Sequence, residues 1–244
     1  MHRCLVKTEE LLADAFTLGR DEARHLQTVL RVKPGDHVIL FDGRGRTRAA
    51  SITAVERHGL SLIADAPVLE HPCPPCCLTL FACVSKGNRM DWTVEKAVEL
   101  GVGRIVPVIS DRTIVRLDAD DGVAKVSRWA RVAEEAARQC GAARVPEILS
   151  PIPFKACLQD VAASAPVFVA ALTPTAKPLR EALAAYATPP PRAGWFVGPE
   201  GDFTPPELVA LLATGALPVS LGPQVLRAET ACLYGLCVLN CAWL

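Results

Sequence analysis

Two loops near the C-terminus carry residues whose types and spacing could do chemistry. In "GWFVGPEGDFTPPEL", residues 194–208, an apolar run ends in Gly-Pro-Glu-Gly and a helix begins almost at once. Thr204 suits the N-cap of that helix, Pro205 its first position, and Glu207 completes a capping box. Residues 198–203 are therefore predicted to form a loop at the carboxyl end of a strand, where ligands gather in parallel α/β sheets. The alternative is a tight turn that binds nothing.

The second loop, "SLGPQVLRAETA" at residues 220–231, repeats the order of strand, Gly-Pro and helix start. It carries Arg227 and Glu229 in an otherwise apolar stretch. Since Arg and Glu are seldom buried without partners, they indicate either an internal salt bridge or a polar site beside a ligand pocket. A third loop, "TPTAKP", follows the apolar segment "PVFVAAL". Three loops at strand ends could converge on one pocket.

Several common catalytic motifs are missing from the sequence. It has no G-x-x-x-x-G-K-[ST] loop, which disfavours ATP or GTP, and no G-x-G-x-x-G after the first strand of its larger part, which disfavours a Rossmann site. It has no G-x-S-x-G elbow, and all five histidines lie at or before residue 71, which disfavours a Ser-His-Asp hydrolase. "HPCPPCC", with His71, Cys73 and Cys76, lacks the second ligand pair of a zinc site. We interpret it as an extended linker and expect no metal.

That linker separates two patterns. Residues 1–70 carry short strand signals, with a hairpin turn at "DGRG" and one helix near "GRDEARHLQTVL". Residues 78–244 alternate apolar strands with amphipathic helices. We therefore predict a small β-rich domain, a barrel, at 1–70, a linker at 71–77, and at 78–244 an α/β domain whose parallel sheet is covered on both faces.

Composition and charge narrow the function further. Lys and Arg number 26, as do Asp and Glu, so any surface for nucleic acid must be local. The start, "MHRCLVKTEE", is charged too early for a secretory signal, and the apolar stretch "ACLYGLCVLNCAWL" is too short to span a bilayer. We expect a soluble cytoplasmic protein with no membrane partner. The ten cysteines are expected to be reduced, several of them as small buried hydrophobes.

The motif "GPEGDFTPPEL" followed by "LGPQVLRAETA" resembles the paired C-terminal motifs of the 16S ribosomal RNA uridine-N3 methyltransferase family, one of the knotted SPOUT methyltransferases. The resemblance covers nearly the whole chain. "HLQTVLRVKPGD" and "LFDGRG" are similar to the family's PUA-like RNA-binding module, "KGNRMDWTVEKAVELGV" to its first strand-helix unit, and "RQCGAARVPEI" to its middle helix. The resemblance implies a deep trefoil knot, a homodimer, and methylation of uridine N3 in small-subunit ribosomal RNA. Two alternatives stay open: an inactive RNA-binding protein of the same fold, and an enzyme acting on another RNA.

The resemblance also implies that S-adenosylmethionine binds in the knot. The residues that would contact it are Leu172, Thr173, Gly198, Glu200, Gly201, Leu221, Gly222 and Leu226. The sequence departs from the family at two positions, where the family usually has Gly in place of Asp202 and Arg in place of Gln224. Asp202 suits a position that needs positive φ better than most residues do.

The implied reaction moves a methyl group to a uracil nitrogen that must lose its proton. Arg227 is the candidate cation for the negative charge that develops on the uracil, and Glu229 either orients Arg227 or takes the proton. RNA phosphate is expected on local basic groups, either of the hairpin or elsewhere: Arg44, Arg46, Arg48, Arg31, Arg3, Lys86 and Arg89. The alternative for the hairpin arginines is a solvated loop. The last helix is apolar on nearly every side, so it is expected to lie in the dimer interface unless the knot alone buries it.

Overall fold

The computed structural model describes residues 2–19, 23, 25–29, 31–57, 59–115 and 119–244. The chain folds into two compact units. The first unit comprises Met1–Cys73 and Glu134–Val145, and the second unit comprises Pro74–Ala133 and Pro146–Leu244. The sequence patterns do not predict that residues 134–145 belong with the N-terminal unit.

The first unit is built on a mostly antiparallel sheet. Its described elements are β1 (His2–Leu5), α1 (Thr8–Leu12), β2 (Ala15–Leu18), a π-helical turn (His25–Val29), β3 (His37–Phe41), β4 (Arg46–Glu56), β5 (Gly59–Ala64) and β6 (Leu69–Glu70). The strand order is β1-β3-β4-β5-β2, with β6 paired to β4. Only the β1–β3 pair is parallel among these strands. Among the described residues, β1 and β2 are the two ends of this strand order, so closure into a barrel stays a prediction.

The predicted hairpin turn at "DGRG" is confirmed. It joins the antiparallel strands β3 and β4, and Gly43 and Gly45 have φ of 69° and 106°. The Asp42 carboxylate stabilises the turn, because Oδ1 accepts from the backbone N–H groups of Arg44 and Arg46 at 2.8 and 3.1 Å. The helix predicted near residues 19–30 is described only in part, as the π-helical turn, and Leu30 lies outside the described residues.

The second unit contains the predicted parallel sheet. Its described elements are β7 (Cys77–Cys83), α2 (Arg89–Glu99), β8 (Arg104–Ile109), α3 (Ala119–Cys140), β9 (Glu147–Ile148), β10 (Ile152–Pro153), α4 (Phe154–Ala163), β11 (Val167–Ala170), β12 (Lys177–Pro178), α5 (Leu179–Leu183), β13 (Arg192–Val197), α6 (Pro205–Ala213), β14 (Leu217–Ser220) and α7 (Ala228–Trp243). The boundary between the units falls within α3, after Ala133. The strand order is β10-β8-β7-β13-β11-β14-β12, with β9 beside β8, and all of these described pairs are parallel.

Three consecutive neighbours in this sheet, β13, β11 and β14, come from separate parts of the sequence. Phe196 pairs with Val169, and Ala170 pairs with Val219, so the three strands end at about the same level. The loops that follow them therefore leave from one stretch of the sheet edge. The threading of these loops into a knot stays a prediction.

The core of the second unit fixes the last helix against the sheet. Trp195 on β13 is fully buried, and its Nε1 donates to the carbonyl of Ala231 on α7 at 3.1 Å. Gly235 on α7 faces the same ring, and a Cβ atom there would lie 2.0 Å from Trp195 Cε2. The helix can approach this closely only because position 235 has no side chain.

Candidate functional site

A cavity of about 290 Å³ lies over the carboxyl ends of β11, β13 and β14. It is lined by residues 170–172, 197–200, 202, 219–222, 224–228 and 231. These residues come from the three strand ends, the loops that follow them and the start of α7. Two of the three predicted loops, those after β13 and β14, line the cavity together. The third wall comes from residues 170–172, just before "TPTAKP", and no residue of that loop lines the cavity.

The walls of the cavity are mostly apolar, with a few charged groups. Alanine, valine and leucine side chains supply much of the surface, and Glu200, Asp202 and Arg227 supply the charges. Gly222 contributes backbone and has φ of 122°, a conformation that favours glycine. A pocket of this kind, apolar with few polar groups, is typical of a small-molecule site.

Six of the eight residues predicted to contact a cofactor line the cavity: Leu172, Gly198, Glu200, Leu221, Gly222 and Leu226. Thr173 and Gly201 are not among the lining residues. Thr173 Oγ1 shares a hydrogen bond with Thr175 Oγ1 at 3.2 Å, and the Gly201 carbonyl accepts from Arg112 Nη1 at 2.6 Å. A Cβ atom on Gly201 would lie 3.4 Å from Arg112, in ordinary contact. A larger side chain at position 201 would therefore not block the cavity directly, whereas Gly222 lines the cavity and a side chain there would enter it.

The loop after β13 turns tightly through Asp202. Its backbone N–H donates to the Pro199 carbonyl at 2.9 Å, and its φ is 61°, in the left-handed region. Asp202 thus adopts the backbone conformation that we expected at this position. Its Oδ1 also accepts from the Phe203 N–H at 2.8 Å, which offsets part of the strain.

The capping box at the start of α6 is confirmed. The Thr204 N–H donates to Glu207 Oε2 at 2.9 Å, and the Glu207 N–H donates to Thr204 Oγ1 at 3.4 Å. Glu207 is almost fully buried, and its other oxygen, Oε1, accepts from the Asp111 N–H at 2.9 Å. The acid therefore also holds the loop after β8 to the loop after β13.

Arg227 and Glu229 have different surroundings, although two residues separate them. Arg227 is the N-cap of α7, is exposed and lines the cavity. Within the described part of the chain, no hydrogen bond or ion pair engages its guanidinium. Glu229 is not a lining residue, and its side chain is 13% exposed. Its ion-pair partner is Arg89, not Arg227, so the structure does not support the expectation that Glu229 orients Arg227.

Arg89, predicted to bind RNA, lies between two acids instead. Its Nη1 donates to Glu200 Oε1 at 3.1 Å, and its Nε lies 3.9 Å from Glu229 Oε1. The internal salt bridge that the sequence left open for Glu229 thus exists, but with a residue 140 positions away. Contact of Arg89 with RNA stays an untested prediction.

Two further predicted RNA contacts in the first unit also have internal partners. Arg48 is 10% exposed; its Nε donates to the Ala66 carbonyl at 2.7 Å, and Nη1 donates to three carbonyls at the end of α1. Arg3 Nη2 donates to the Ala142 carbonyl at 3.0 Å, and its guanidinium lies 5.0 Å from the centre of the Phe41 ring. Burial lowers the pKa of Arg3. These contacts engage both guanidinium groups within the first unit, and contact of Arg3 and Arg48 with RNA stays an untested prediction.

The remaining predicted RNA contacts are more accessible. Arg44 and Arg31 are exposed in the first unit, and Arg46 is 40% exposed while its Nε donates to Glu70 Oε1 at 2.9 Å. Lys86 is exposed in the loop after β7 of the second unit. Arg31 has φ of 52°. These four cations stay predicted RNA contacts.

Sequence reasoning missed the side chains that hold the loop after β13 from outside. Arg112 and the Asp111 N–H both belong to the loop after β8, and both contact residues 201–207. The only local signal was their position at the end of a predicted parallel strand. Their partners lie about ninety residues away, beyond any spacing rule.

The residues of the predicted linker at 71–77 differ in their surroundings. His71 Nε2 shares a hydrogen bond with Thr47 Oγ1 at 2.9 Å, Cys76 is buried and Cys73 is exposed. The described residues contain no cluster of three or more potential metal ligands. They also contain no helix that is both long and apolar enough to cross a bilayer.

Comparisons with known proteins show which protein family this chain resembles. The family model of the RNA methyltransferase domain matches residues 72–240, and that of the RNA methyltransferase PUA domain matches residues 18–65. The ribosomal RNA small subunit methyltransferase E of Mycobacterium bovis is 33% identical over 222 residues, which cover 86% of this chain and 80% of the relative.

Two solved structures are similar over nearly their whole length. A methyltransferase from Legionella pneumophila, in complex with the bound cofactor SAM, has a TM-score of 0.90 and 30% identity, covering 99% of this chain and 98% of the other. The ribosomal RNA small subunit methyltransferase E of Neisseria gonorrhoeae, bound to S-adenosyl methionine, has a TM-score of 0.88 and 31% identity, covering 100% and 98%.

The parallel sheet with its strand-end cavity and the two matching domain families define a PUA-containing RNA methyltransferase. The chain belongs to the family of RNA methyltransferases that includes the ribosomal RNA small subunit methyltransferase E proteins.

Proposed function

We propose that this protein transfers the methyl group of S-adenosylmethionine to N3 of a uridine in small-subunit ribosomal RNA, in the cytoplasm. One observation carries the proposal: the cavity over β11, β13 and β14 contains six of the residues expected to contact this cofactor. The similar chains from Legionella and Neisseria, both bound to the same cofactor, support it.

The residues of the cavity fit S-adenosylmethionine chemically. The cofactor has a flat aromatic adenine with polar edges, a positively charged sulfur and an amino acid group that carries both signs. The apolar lining suits the faces of the adenine, Glu200 and Asp202 suit the positive groups, and the backbone that lines the cavity at Gly198 and Gly222 can bond polar atoms closely. When bound, the cofactor supplies a methyl group on a cationic sulfur.

Arg227 is proposed to stabilise the reacting uracil. Uracil N3 becomes nucleophilic only when its proton is lost, and the negative charge then spreads to O2 and O4. Arg227 lines the cavity, and its guanidinium has no hydrogen-bond or ion-pair partner among the described residues, so it is available to donate to one of those oxygens. Its replacement by Ala is expected to slow methyl transfer about a hundredfold, as when one oriented charge-stabilising donor is lost. Single-turnover rates at saturating RNA test this, and a wild-type rate would remove Arg227 from the mechanism.

Glu229 is proposed to accept the N3 proton. Its Oε2 is buried and has no hydrogen-bond partner among the residues that the structure describes, whereas its Oε1 forms an ion pair with Arg89. A buried acceptor left without a donor costs about 1–3 kcal/mol. Glu229 does not line the cavity, so this role requires that bound RNA bring the uracil within reach of Oε2.

RNA is proposed to dock on the exposed cations of the first unit, Arg44, Arg46 and Arg31, with Lys86 on the second. The target base is proposed to be unpaired or flipped, because N3 is engaged in Watson–Crick pairing within a duplex. Replacing Arg44 and Arg46 by Ala is expected to weaken RNA binding and lower its salt slope by roughly 0.7–0.9 per lost contact. Donor affinity should not change. RNA binding measured over a salt series tests this, and an unchanged slope would exclude the hairpin as the docking site.

We also propose the PUA-like domain at 1–70, the linker at 71–77, the knot within 78–244 and a homodimer without bound metal. Helix α7 supports the dimer: Leu236 and Leu239 are fully buried, whereas Tyr234, Cys237 and Cys241 expose another side of the same helix. Light scattering at micromolar concentration should find two chains, and a monomer there would contradict this assembly.

Two experiments together distinguish the proposed function from an inactive RNA-binding protein and from an enzyme that acts on another RNA. Nucleosides of small-subunit ribosomal RNA from cells with and without the protein are analysed by mass spectrometry, and purified protein is incubated with labelled donor and RNA. Loss of one N3-methyluridine supports the proposal. Donor binding with no methyl transfer to any RNA would favour an inactive RNA-binding protein, and transfer only to another RNA would favour a different substrate.

A further inference from the structure

Arg89 has no role in the proposed reaction, although it lies beside two acids near the cavity. It is the first residue of α2, directly after the loop that follows β7. Its two acidic partners come from different places: Glu200 from the loop after β13, and Glu229 from the first turn of α7. One guanidinium thus connects a wall of the cavity with the helix that begins at Arg227.

The charges around Arg89 argue against a phosphate contact. Two carboxylates face one guanidinium, so its charge is already neutralised within the protein, and RNA phosphate would have to compete with both. The Arg89 side chain is 44% exposed, compared with 28% for Glu200 and 13% for Glu229. The acids are therefore more enclosed than the cation, which suits a group that holds them in place.

Glu229 shows what this arrangement achieves. Its Oε1 lies 3.9 Å from Arg89 Nε, an ion pair longer than a hydrogen bond, while Oε2 is buried and has no hydrogen-bond partner among the described residues. The charge of Arg89 therefore attracts one oxygen of Glu229 and leaves the other oxygen free to accept a proton. Glu200 lines the cavity, so the same cation also restrains the cavity wall.

We propose that Arg89 is a positioning residue that holds Glu200 for donor binding and Glu229 for proton acceptance. It does not bind RNA. The part concerning Glu229 rests on the proposed methyl transfer, whereas the parts concerning Glu200 and RNA rest on binding alone.

The test uses full-length protein with Arg89→Gln, Arg89→Lys, Glu200→Gln and Glu229→Gln, alone and combined. We expect Arg89→Gln to lower kcat about tenfold, with KM for RNA within about twofold of wild type. Because Arg89 acts through Glu229, the Arg89→Gln/Glu229→Gln double variant should be no slower than Glu229→Gln, within about twofold. Arg89→Lys should recover most of the rate.

Donor affinity gives a readout that does not depend on turnover. By calorimetry, Arg89→Gln should raise the Kd for S-adenosylmethionine roughly three- to tenfold, and adding Glu200→Gln should raise it no further. The matched control is Arg128→Ala, which removes another ion pair to α2, that with Asp91. This control should change neither kcat nor donor affinity by more than about twofold.

RNA binding over a salt series separates Arg89 from its neighbour Lys86. Arg89→Gln should leave the slope of log affinity against log salt unchanged, whereas Lys86→Ala should lower it by roughly 0.7–0.9. A slope lowered by that amount in Arg89→Gln would overturn the proposal, as would additive effects in both cycles or a wild-type kcat in Glu229→Gln. If Arg89→Gln does not fold, Arg89→Lys decides, because a rate more than about threefold below wild type would contradict positioning by charge.

Failure of the proposed function would look different. A wild-type protein that methylates no RNA would refute methyl transfer, while the donor-affinity cycle and the salt slope would still test what Arg89 does.

Discussion

Gly235 offers the sharpest prediction about how α7 is held at the cavity. Replacing it by Ala places a Cβ atom 2.0–2.5 Å from three ring atoms of Trp195. These atoms lie in the body of a fully buried indole, not at the end of a flexible side chain, so the ring or the helix must shift. The Trp195 hydrogen bond to Ala231 is strained by either shift.

The magnitude follows from opposing contributions. Overpacking of a dense core costs typically 1–3 kcal/mol, and loss of a buried hydrogen bond adds about 1 kcal/mol. Ala is a better helix former than Gly by about 1 kcal/mol, which offsets part of this. We expect Gly235→Ala to lower the free energy of unfolding by about 1–3 kcal/mol. It should also weaken donor binding, because Ala228 and Ala231 of α7 line the cavity.

Gly122 provides the matched control. It also lies within a helix, α3, but a Cβ atom there would meet nothing within 4 Å. Gly122→Ala should therefore raise stability by up to about 1 kcal/mol. Urea unfolding of both variants, followed by donor calorimetry, tests the pair. A Gly235→Ala protein as stable as wild type would refute the packing argument, because the close approach of Trp195 to position 235 would then have no effect on stability.

Three further predictions concern single positions. Arg48→Ala should lower stability by about 2 kcal/mol in urea unfolding without changing the salt slope of RNA binding, because its donors are directed at protein carbonyls. Asp202→Ala should cost about 1 kcal/mol whereas Asp202→Gly should be nearly neutral, because φ is 61°; equal losses in thermal unfolding would contradict this. Burial raises the pKa of the Cys83 and Cys157 thiols to about 12 from an ordinary 9.0, so both should resist alkylation at pH 8, as mass spectrometry can check. The unfolded chain releases these protons first, so stability should fall as pH rises above about 9.

Much of the second unit was predictable from the sequence, because apolar residues recur at regular spacing along its longer strands and helices. Buried strands such as β7 and β8, and the amphipathic helices α2 and α3, have enough residues for the pattern to emerge. The two-residue strands β9, β10 and β12 have no period to detect, and they were missed. Helix α4 was missed as well.

The charged side chains at the site have partners that the sequence did not predict, and the reason is physical. The type and spacing of a charged residue do not show which distant residue will pair with it. Arg44, Arg46 and Arg48 look equivalent in the sequence, yet only Arg48 is turned inward to the end of α1. Arg89 and Glu229 pair across 140 positions, and no local spacing predicts this. The capping box and the hairpin turn, by contrast, were predicted correctly because all of their partners lie within a few residues.

The loop after β13 shows why its unusual backbone is stable. Asp202 adopts a left-handed conformation that costs a residue with a side chain about 1–2 kcal/mol. Such strain persists only where the surroundings fix the chain, and here three contacts do so. Arg89 holds Glu200, Arg112 holds the carbonyl of Gly201, and the Asp111 N–H holds Glu207. These contacts come from the segments after β7 and β8, and they fix the shape of the loop before any ligand is present. Donor binding therefore costs little conformational entropy in this loop.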